Sequence, residues 1–473
     1  MSGSVAVKYN ADFRVDSQYV NAANGVGFTY DRDGLLRTAG ALRVGRSATT
    51  GLLLADTLNS IVSTYQHTSR GELRGYHVKR GGTSLLGVGY ARDSLGRITR
   101  LDDTTQGTPM RWSFVYDNVG RLKADSVDGA LLHSFLYDSN GNRLSYSSNS
   151  GVVTYRYDAQ DRLLASYAGG DSTTYAYGSN GELKIITAPG GATTKLTYDA
   201  LGNLLKVVLP SGDSVEYLID GQSRRVGRKF NGATTHRWLY HGQLRPVAEV
   251  DSVGNVISRF VYGTRKNVPD YMTRGGSVYR LVTDHLGSVR LVVDTSTGAI
   301  AQSMDYDEWG VVTAEMGAGF QPFGFAGGLS DSATRLTRFG ARDYMASAGR
   351  WLAQDPILHQ GGSSNLYGYA LEDPINYVDL DGKQAIAIPI VLEGIGLGAA
   401  ATVAAPLVLV GTAVYAGYLL SEALDDASER AINRLFKEAC IEGCMKYLPS
   451  PSGDLQCSEF HQCVEECLQS LGA

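Results

Sequence analysis

Cysteine is missing from the first 439 residues; the five in the chain are Cys440, Cys444, Cys457, Cys463 and Cys467. The body of the protein therefore folds without disulfides. Proline is scarce, at 12 of 473 residues, which excludes collagen-like and proline-rich linker architectures. A basic excess is also lacking. From Lys383 onward there are 11 Asp/Glu against 5 Lys/Arg, leaving 37 acidic and 38 basic residues in the body. A body so nearly neutral does not offer the cationic surface that phosphate backbones require, so no nucleic-acid partner is expected. Met1 to Val20 carries Lys8, Asp12, Arg14 and Asp16 and lacks an apolar stretch, so no signal peptide is expected there. No cofactor motif stands out. Gly25-Val26-Gly27 and Gly394-Ile395-Gly396-Leu397-Gly398 lack the strand–glycine–helix setting of a nucleotide loop. His67, His77, His133, His236, His241, His285 and His359 are scattered without ligand spacing, and His285, in a turn, reads as structural.

Glycine and tyrosine are abundant instead, at 57 and 28 against 12 Phe. Their placement is periodic. Tyr116-Asp117-Asn118-Val119-Gly120-Arg121-Leu122 is followed by Tyr137-Asp138-Ser139-Asn140-Gly141-Asn142-Arg143-Leu144, and then by Tyr157-Asp158-Ala159-Gln160-Asp161-Arg162-Leu163. Tyr177-Gly178-Ser179-Asn180-Gly181-Glu182-Leu183 and Tyr198-Asp199-Ala200-Leu201-Gly202-Asn203-Leu204 continue the series, with steps of 21, 20, 20 and 21 residues. Outlying copies begin at Tyr30-Asp31 and Tyr306-Asp307, and Thr283-Asp284-His285-Leu286-Gly287 is a degenerate one.

Each tyrosine closes an alternating stretch such as Val153-Thr154-Tyr155-Arg156-Tyr157, a period-two strand pattern. The Asp side chain is suited to capping a turn, and Gly or Asn three residues on tolerates positive φ. About 20 residues thus make one β-hairpin, half of what a propeller blade needs. The expected fold is mainly β: tandem hairpins in one long, curled antiparallel sheet, their tyrosines stacked in register.

These residues resemble the bacterial Rhs/YD-repeat proteins, whose hallmark is Tyr-Asp-x-x-Gly-Arg/Asn-Leu. A second match is Arg338-Phe339-Gly340-Ala341-Arg342-Asp343-Tyr344, Gly349-Arg350-Trp351-Leu352, Asp355-Pro356-Ile357, Asn365-Leu366-Tyr367-Gly368-Tyr369 and Asp373-Pro374-Ile375-Asn376-Tyr377-Val378-Asp379, closing at Gly382. This is similar to the Rhs repeat-associated core. The resemblance implies a β-cocoon, here a partial shell, around a variable C-terminal toxin, freed in many members by aspartate-dependent self-cleavage at the end of the core. It makes Asp355 and Asp379 the candidate catalytic carboxylates, with Asp343 and Asp373 in reserve, and places the break next to Lys383, with Gly382 and Lys383 as the cleavage-site residues. Turn-opening roles compete for each, since Asp-Pro commonly opens a turn. The family ending Asp-Pro-x-Gly-Leu is replaced here by Asp379-Leu380-Asp381-Gly382-Lys383. The implied domains are a repeat shell over 1–337, a core over 338–382, a hydrophobic segment over 383–421 and a helical hairpin over 422–473.

The tail differs in composition. Gly394 to Ser421 is uncharged over 28 residues, long enough to span a bilayer, with Pro406 as a kink. Membrane contact and storage as a buried apolar helix both suit it. Beyond it, apolar residues at helical spacing predict two helices, each with a Cys-x3-Cys pair on one side. Antiparallel packing would pair Cys440 with Cys467 and Cys444 with Cys463. A zinc site using Cys457 and His461 is the competing reading. The expected function is an Rhs-type toxin, secreted or at the cell surface, with a cognate immunity protein and secretion machinery as partners. A membrane-anchored scaffold that binds carbohydrate and a decayed cassette without function are the alternatives.

Overall fold

The turn aspartates organise the chain. In the computed structural model, which describes residues 3–387, Asp117, Asp138, Asp158 and Asp199 each accept two backbone N–H groups on Oδ1, from the second and fourth residues that follow. Asp31 and Asp307 do the same. Oδ2 then takes a side chain from that fourth residue: Arg121 Nε at 2.7 Å, Arg162 Nε at 2.6 Å or Asn203 Nδ2 at 2.9 Å. The intervening Gly120, Gly141 and Gly202 adopt φ of +99°, +89° and +82°. One carboxylate thus satisfies the donors of a five-residue turn that strand pairing cannot reach.

At several repeats the tyrosine near the end of the strand joins its hairpin to the one before. Tyr116, Tyr137, Tyr157 and Tyr240 donate their hydroxyls to the carbonyls of Ile98, Leu122, Arg143 and Arg225, 14 to 18 residues upstream. The rings are not stacked on one another as the sequence suggested. A cation carried by the preceding hairpin lies over several of them, with Arg97 over Tyr116 at 4.7 Å, Arg121 over Tyr137 at 4.9 Å and Lys184 over Tyr198 at 4.7 Å, while Tyr157 takes Arg350 from far along the chain at 4.9 Å. The Arg of the repeat therefore serves its own Asp and the next Tyr together.

Thirty strands, from Val5–Tyr9 to Val312–Met316, form one sheet in which every strand pairs antiparallel with its sequence neighbours. The first and last strands do not pair with each other, so the sheet is open. It winds upon itself. Gln18 meets His241, 223 residues away, at 2.8 Å; Asp56 meets Arg280, 224 residues away, at 3.0 Å; and Asp103 meets Arg290 at 3.2 Å. Buried apolar side chains such as Tyr76, Leu86, Phe135, Val282 and Leu291 fill the space between the wound layers.

After the sheet, a four-stranded sheet (Leu329–Asp331, Leu336–Phe339, Arg342–Met345 and Arg350–Trp351) and several short 3-10 turns fold against its inner side. Phe325, Phe339, Tyr344, Trp351 and Tyr369 form the centre of this plug, with Tyr344 and Tyr369 ring centroids 4.4 Å apart. Polar anchors tie it to three of the repeat turns. Asn376 Oδ1 accepts from Ile98 N at 2.8 Å, Asn365 Nδ2 donates to Asn142 Oδ1 at 2.9 Å, and Tyr367 donates to the Gly181 carbonyl at 2.8 Å. His285 Nε2 lies 3.0 Å from the Ile375 carbonyl, a structural place as expected. No helix of the described residues is long and apolar enough to cross a membrane. The expectations for Gly394–Ser421, for the cysteine pairs and for Cys457 with His461 lie outside the described residues.

Replacing Asp158 with Ala should lower the chemical denaturation midpoint by the equivalent of about 1–2 kcal/mol, because two N–H groups and the Arg162 guanidinium lose their acceptor. Tyr157→Phe, which removes one hydroxyl bond, should lose about 1 kcal/mol. An unchanged midpoint for Asp158→Ala would remove the aspartate from its organising role.

Candidate functional site

The segment Asp379 to Ala385 forms the loop of a hairpin between the short strands Tyr377–Val378 and Ile386–Ala387. Asp379 occupies the start of this loop and folds back into it. Its Oδ1 accepts the backbone N–H of Lys383 at 2.9 Å and of Gln384 at 3.1 Å. Arg342, from the plug strand Arg342–Met345, lies beneath. Its Nη2 is 3.0 Å from Asp379 Oδ2 and 2.8 Å from Asp355 Oδ2, its Nε donates to the Gly382 carbonyl, and its guanidinium lies 4.2 Å from the Trp351 ring centroid. The two expected carboxylates are thus brought together, through an arginine shared between them.

The remaining geometry follows from two glycines. Gly382 has φ of +70°, and a Cβ there would come within 2.5 Å of the Phe339 carbonyl oxygen. Glycine alone allows the loop to press against the turn Phe339–Arg342, where Ala341 N donates to the Asp381 carbonyl at 2.8 Å. Gly361 packs from the other side. A Cβ on it would stand 2.7 Å from the Lys383 carbonyl oxygen and 2.9 Å from Asp355 Oδ2. Asp355 therefore borders the carbonyl of the Lys383–Gln384 peptide bond, while Asp379 holds the nitrogen of that bond.

Burial pushes the Asp379 carboxyl up to about 7, with Arg342 opposing and Asp381 adding to the rise. Burial also raises Asp355, against Arg342 and the Ile357 N–H. The two reserve aspartates lie elsewhere. Asp343 is clamped between Arg225 at 2.6 Å and Arg338 at 2.9 Å, locking the plug to the sheet. Asp373 accepts both the side chain and the backbone N–H of Asn376. Glu372 was not singled out in the sequence. It is carried by three successive residues at positive φ, Ala370, Leu371 and Glu372, and burial raises it to about 8 despite Arg121 and Arg350. Arg342 and Gly361 also escaped notice as site residues. The signal for Arg342 was a run with two arginines, Arg338 and Arg342, four apart among apolar residues, since buried guanidinium groups demand carboxylates.

A third group unites residues distant in sequence. Asp125 and His133 face each other across the strands Leu122–Val127 and Ala130–Tyr137, and Glu308 reaches them from the turn after Tyr306.

Residues 1–375 match the family model described as the Teneurin YD-shell. The chain belongs to this family. Among relatives of this YD shell, mouse (Mus musculus) Teneurin-4 is 28% identical over 343 residues, covering 67% of the chain and 12% of that protein. The toxin protein Tse5 of Pseudomonas aeruginosa is 27% identical over 391 residues, covering 70% of the chain and 29% of its own length. The YD shell therefore spans only a fraction of the curated relatives it matches. Among solved structures, the Photorhabdus luminescens Tc holotoxin pore superposes with a TM-score of 0.61 at 17% identity, over 82% of this chain and 22% of the other. The TcdB2-TccC3-TEV crystal structure gives 0.58 at 18%, over 80% and 21%. At these identities the likeness is one of fold. The Rhs/YD-repeat resemblance read from the repeats and the core motif holds.

Glu372 yields a pH test. Its folded pKa is raised, so the folded chain keeps a proton that the unfolded chain gives up above about 4. Its contribution is complete below that pH and is lost as pH rises to about 8. Wild type should therefore lose thermal stability relative to Glu372→Gln between those limits and then run parallel to it. A constant difference from pH 4 to 8 would show that Glu372 ionises as an ordinary carboxylate.

Proposed function

We propose that this YD shell is the processing and enclosing part of an Rhs-type toxin, and that it hydrolyses its own Lys383–Gln384 peptide bond with Asp355 and Asp379. The observation that carries the reading is the position of Asp379 Oδ1, 3.1 Å from the nitrogen of that bond. Asp355, acting in its carboxylate form, takes a proton from water, and the water oxygen adds to the Lys383 carbonyl carbon. Asp379 accepts the Gln384 N–H in the resting chain; once water has added and that nitrogen has become pyramidal with a free lone pair, protonated Asp379 gives its proton to it as the carbon–nitrogen bond breaks. Water supplies the hydroxyl of the new Lys383 carboxylate and the proton lost by Asp379 is regained from Asp355. Arg342 bridges the two carboxylates and fixes their positions on either side of the bond.

The C-terminal segment freed by this step is the effector. Its uncharged stretch Gly394–Ser421 suits action at a membrane of the target cell, and its cysteines suit an oxidising destination. Delivery by secretion machinery and a cognate immunity protein in the producing cell belong to the same reading, which the Tse5 relationship favours.

Intact mass of the purified full-length chain tests the chemistry. Wild type should resolve into residues 1–383 and 384–473, while Asp379→Asn and Asp355→Asn stay whole. Gly361→Ala should slow the cut at least tenfold, since its methyl would intrude between Asp355 and the Lys383 carbonyl. The rate should fall as pH rises through about 7, where Asp379 loses the proton it must donate. A wild type that remains whole would sink self-cleavage and leave the shell as a scaffold. Cleavage that persists in both Asp→Asn variants would assign it to other residues.

A further inference from the structure

Three side chains from outside the proposed cleavage site meet in the wall of the wound sheet. Asp125 and His133 are direct cross-strand partners, so the ladder itself fixes their separation. Glu308 arrives in the turn Asp307–Val311, which is set rigidly by the Asp307 carboxylate accepting Trp309 N at 2.9 Å and Val311 N at 2.8 Å. Trp309 then packs edge-on to Phe135, with centroids 5.8 Å apart, seating the turn on the second of the two strands. As a result His133 Nδ1 lies 3.1 Å from Asp125 Oδ1 and 3.1 Å from Glu308 Oε2. The three donor atoms all fall within 4.8 Å of one another.

Those separations suit a shared metal. Ligands about 2.1 Å from a tetrahedral ion stand roughly 3.4 Å from each other. The arrangement is poorly satisfied as a hydrogen-bonded triad. Asp125 is 1% exposed and Glu308 6%, yet Asp125 Oδ2 and Glu308 Oε1 have no hydrogen-bond partner. A single imidazole nitrogen offers one proton to two buried carboxylates, and leaves the cluster with net negative charge even when the ring is cationic. Replacing that proton by a divalent ion makes two carboxylates, a neutral imidazole and the ion electrically neutral together. The His133 side chain is 11% exposed, which gives a path from solvent.

We propose that Asp125, His133 and Glu308 bind one divalent transition-metal ion, with zinc the best match to an imidazole and two carboxylates. The ion staples the hairpin Leu122–Tyr137 to the turn at Glu308, two pieces of chain 175 residues apart between His133 and Glu308. It clamps one layer of the winding to another where neighbour-to-neighbour strand pairing cannot. The donor set is distinct from Asp355, Asp379 and Arg342, and the inference does not depend on self-cleavage.

The test uses the full-length chain. Purified wild type, stripped with EDTA and dialysed, should take up one equivalent of zinc through these residues, with the melting temperature rising by about 3 °C at ~100 times Kd. Asp125→Asn and Glu308→Gln should each lose that uptake and that rise while remaining folded by circular dichroism. Cobalt(II) substitution of the wild type gives a second readout that requires no variant. Oxygen and nitrogen ligation should produce ligand-field bands without the thiolate charge-transfer band expected if the C-terminal cysteines held the metal. Zinc uptake that persists in both variants, a thiolate band as the sole cobalt signature, or a wild type with no uptake and an EDTA-insensitive melting temperature would overturn the proposal.

Discussion

The aspartate of each repeat turn is the interaction on which the molecule depends. A five-residue turn leaves backbone donors that no neighbouring strand can accept, and burying them unpaired would cost about 1–3 kcal/mol each. The carboxylate accepts two of them and still binds the Arg or Asn that ends the turn. That Arg extends over the tyrosine of the following repeat, whose hydroxyl returns to the preceding hairpin. Local turn chemistry is thereby coupled to the spacing between hairpins. The same device recurs through much of the sheet.

Much of this was legible because its determinants lie within seven residues. Tyr-Asp-x-x-Gly-Arg-Leu names the strand end, the cap, the positive-φ residue and the cation in order, and the hairpin meander follows from repetition. Asp93, Asp220 and Asp251 form the same turns, with the same pair of N–H acceptances, but Arg92, Ile219 and Val250 precede them, so the Tyr-Asp motif does not mark them. The better signature was the cap with its Arg or Asn four residues later.

The site was legible in part. Asp355 and Asp379 came from a family motif, and the fold places both on Arg342. What the motif did not reveal was the assignment of each carboxylate to one side of a peptide bond, because that rests on Gly361 and Gly382 admitting close backbone approach. Asp125, His133 and Glu308 were beyond any reading by spacing. Two of them meet by strand register and the third by winding, and winding is set by the summed twist of many strands rather than by any local residue. His133 looked like one scattered histidine among seven for that reason.

The order in which the chain emerges gives the plug a further role. Strands that pair only with their immediate neighbours can be laid down one after another during synthesis, whereas the plug anchors to turns formed long before it. Arg225 and Arg228 reach their carboxylates, Asp343 and Asp331, only after more than a hundred further residues have been made. Arg342, Asp355 and Asp379 are likewise held in place only once Asn203, Asn142 and Gly181 have received the plug. The arrangement around Lys383 is thus carried by a plug whose anchors lie in turns made earlier in the chain.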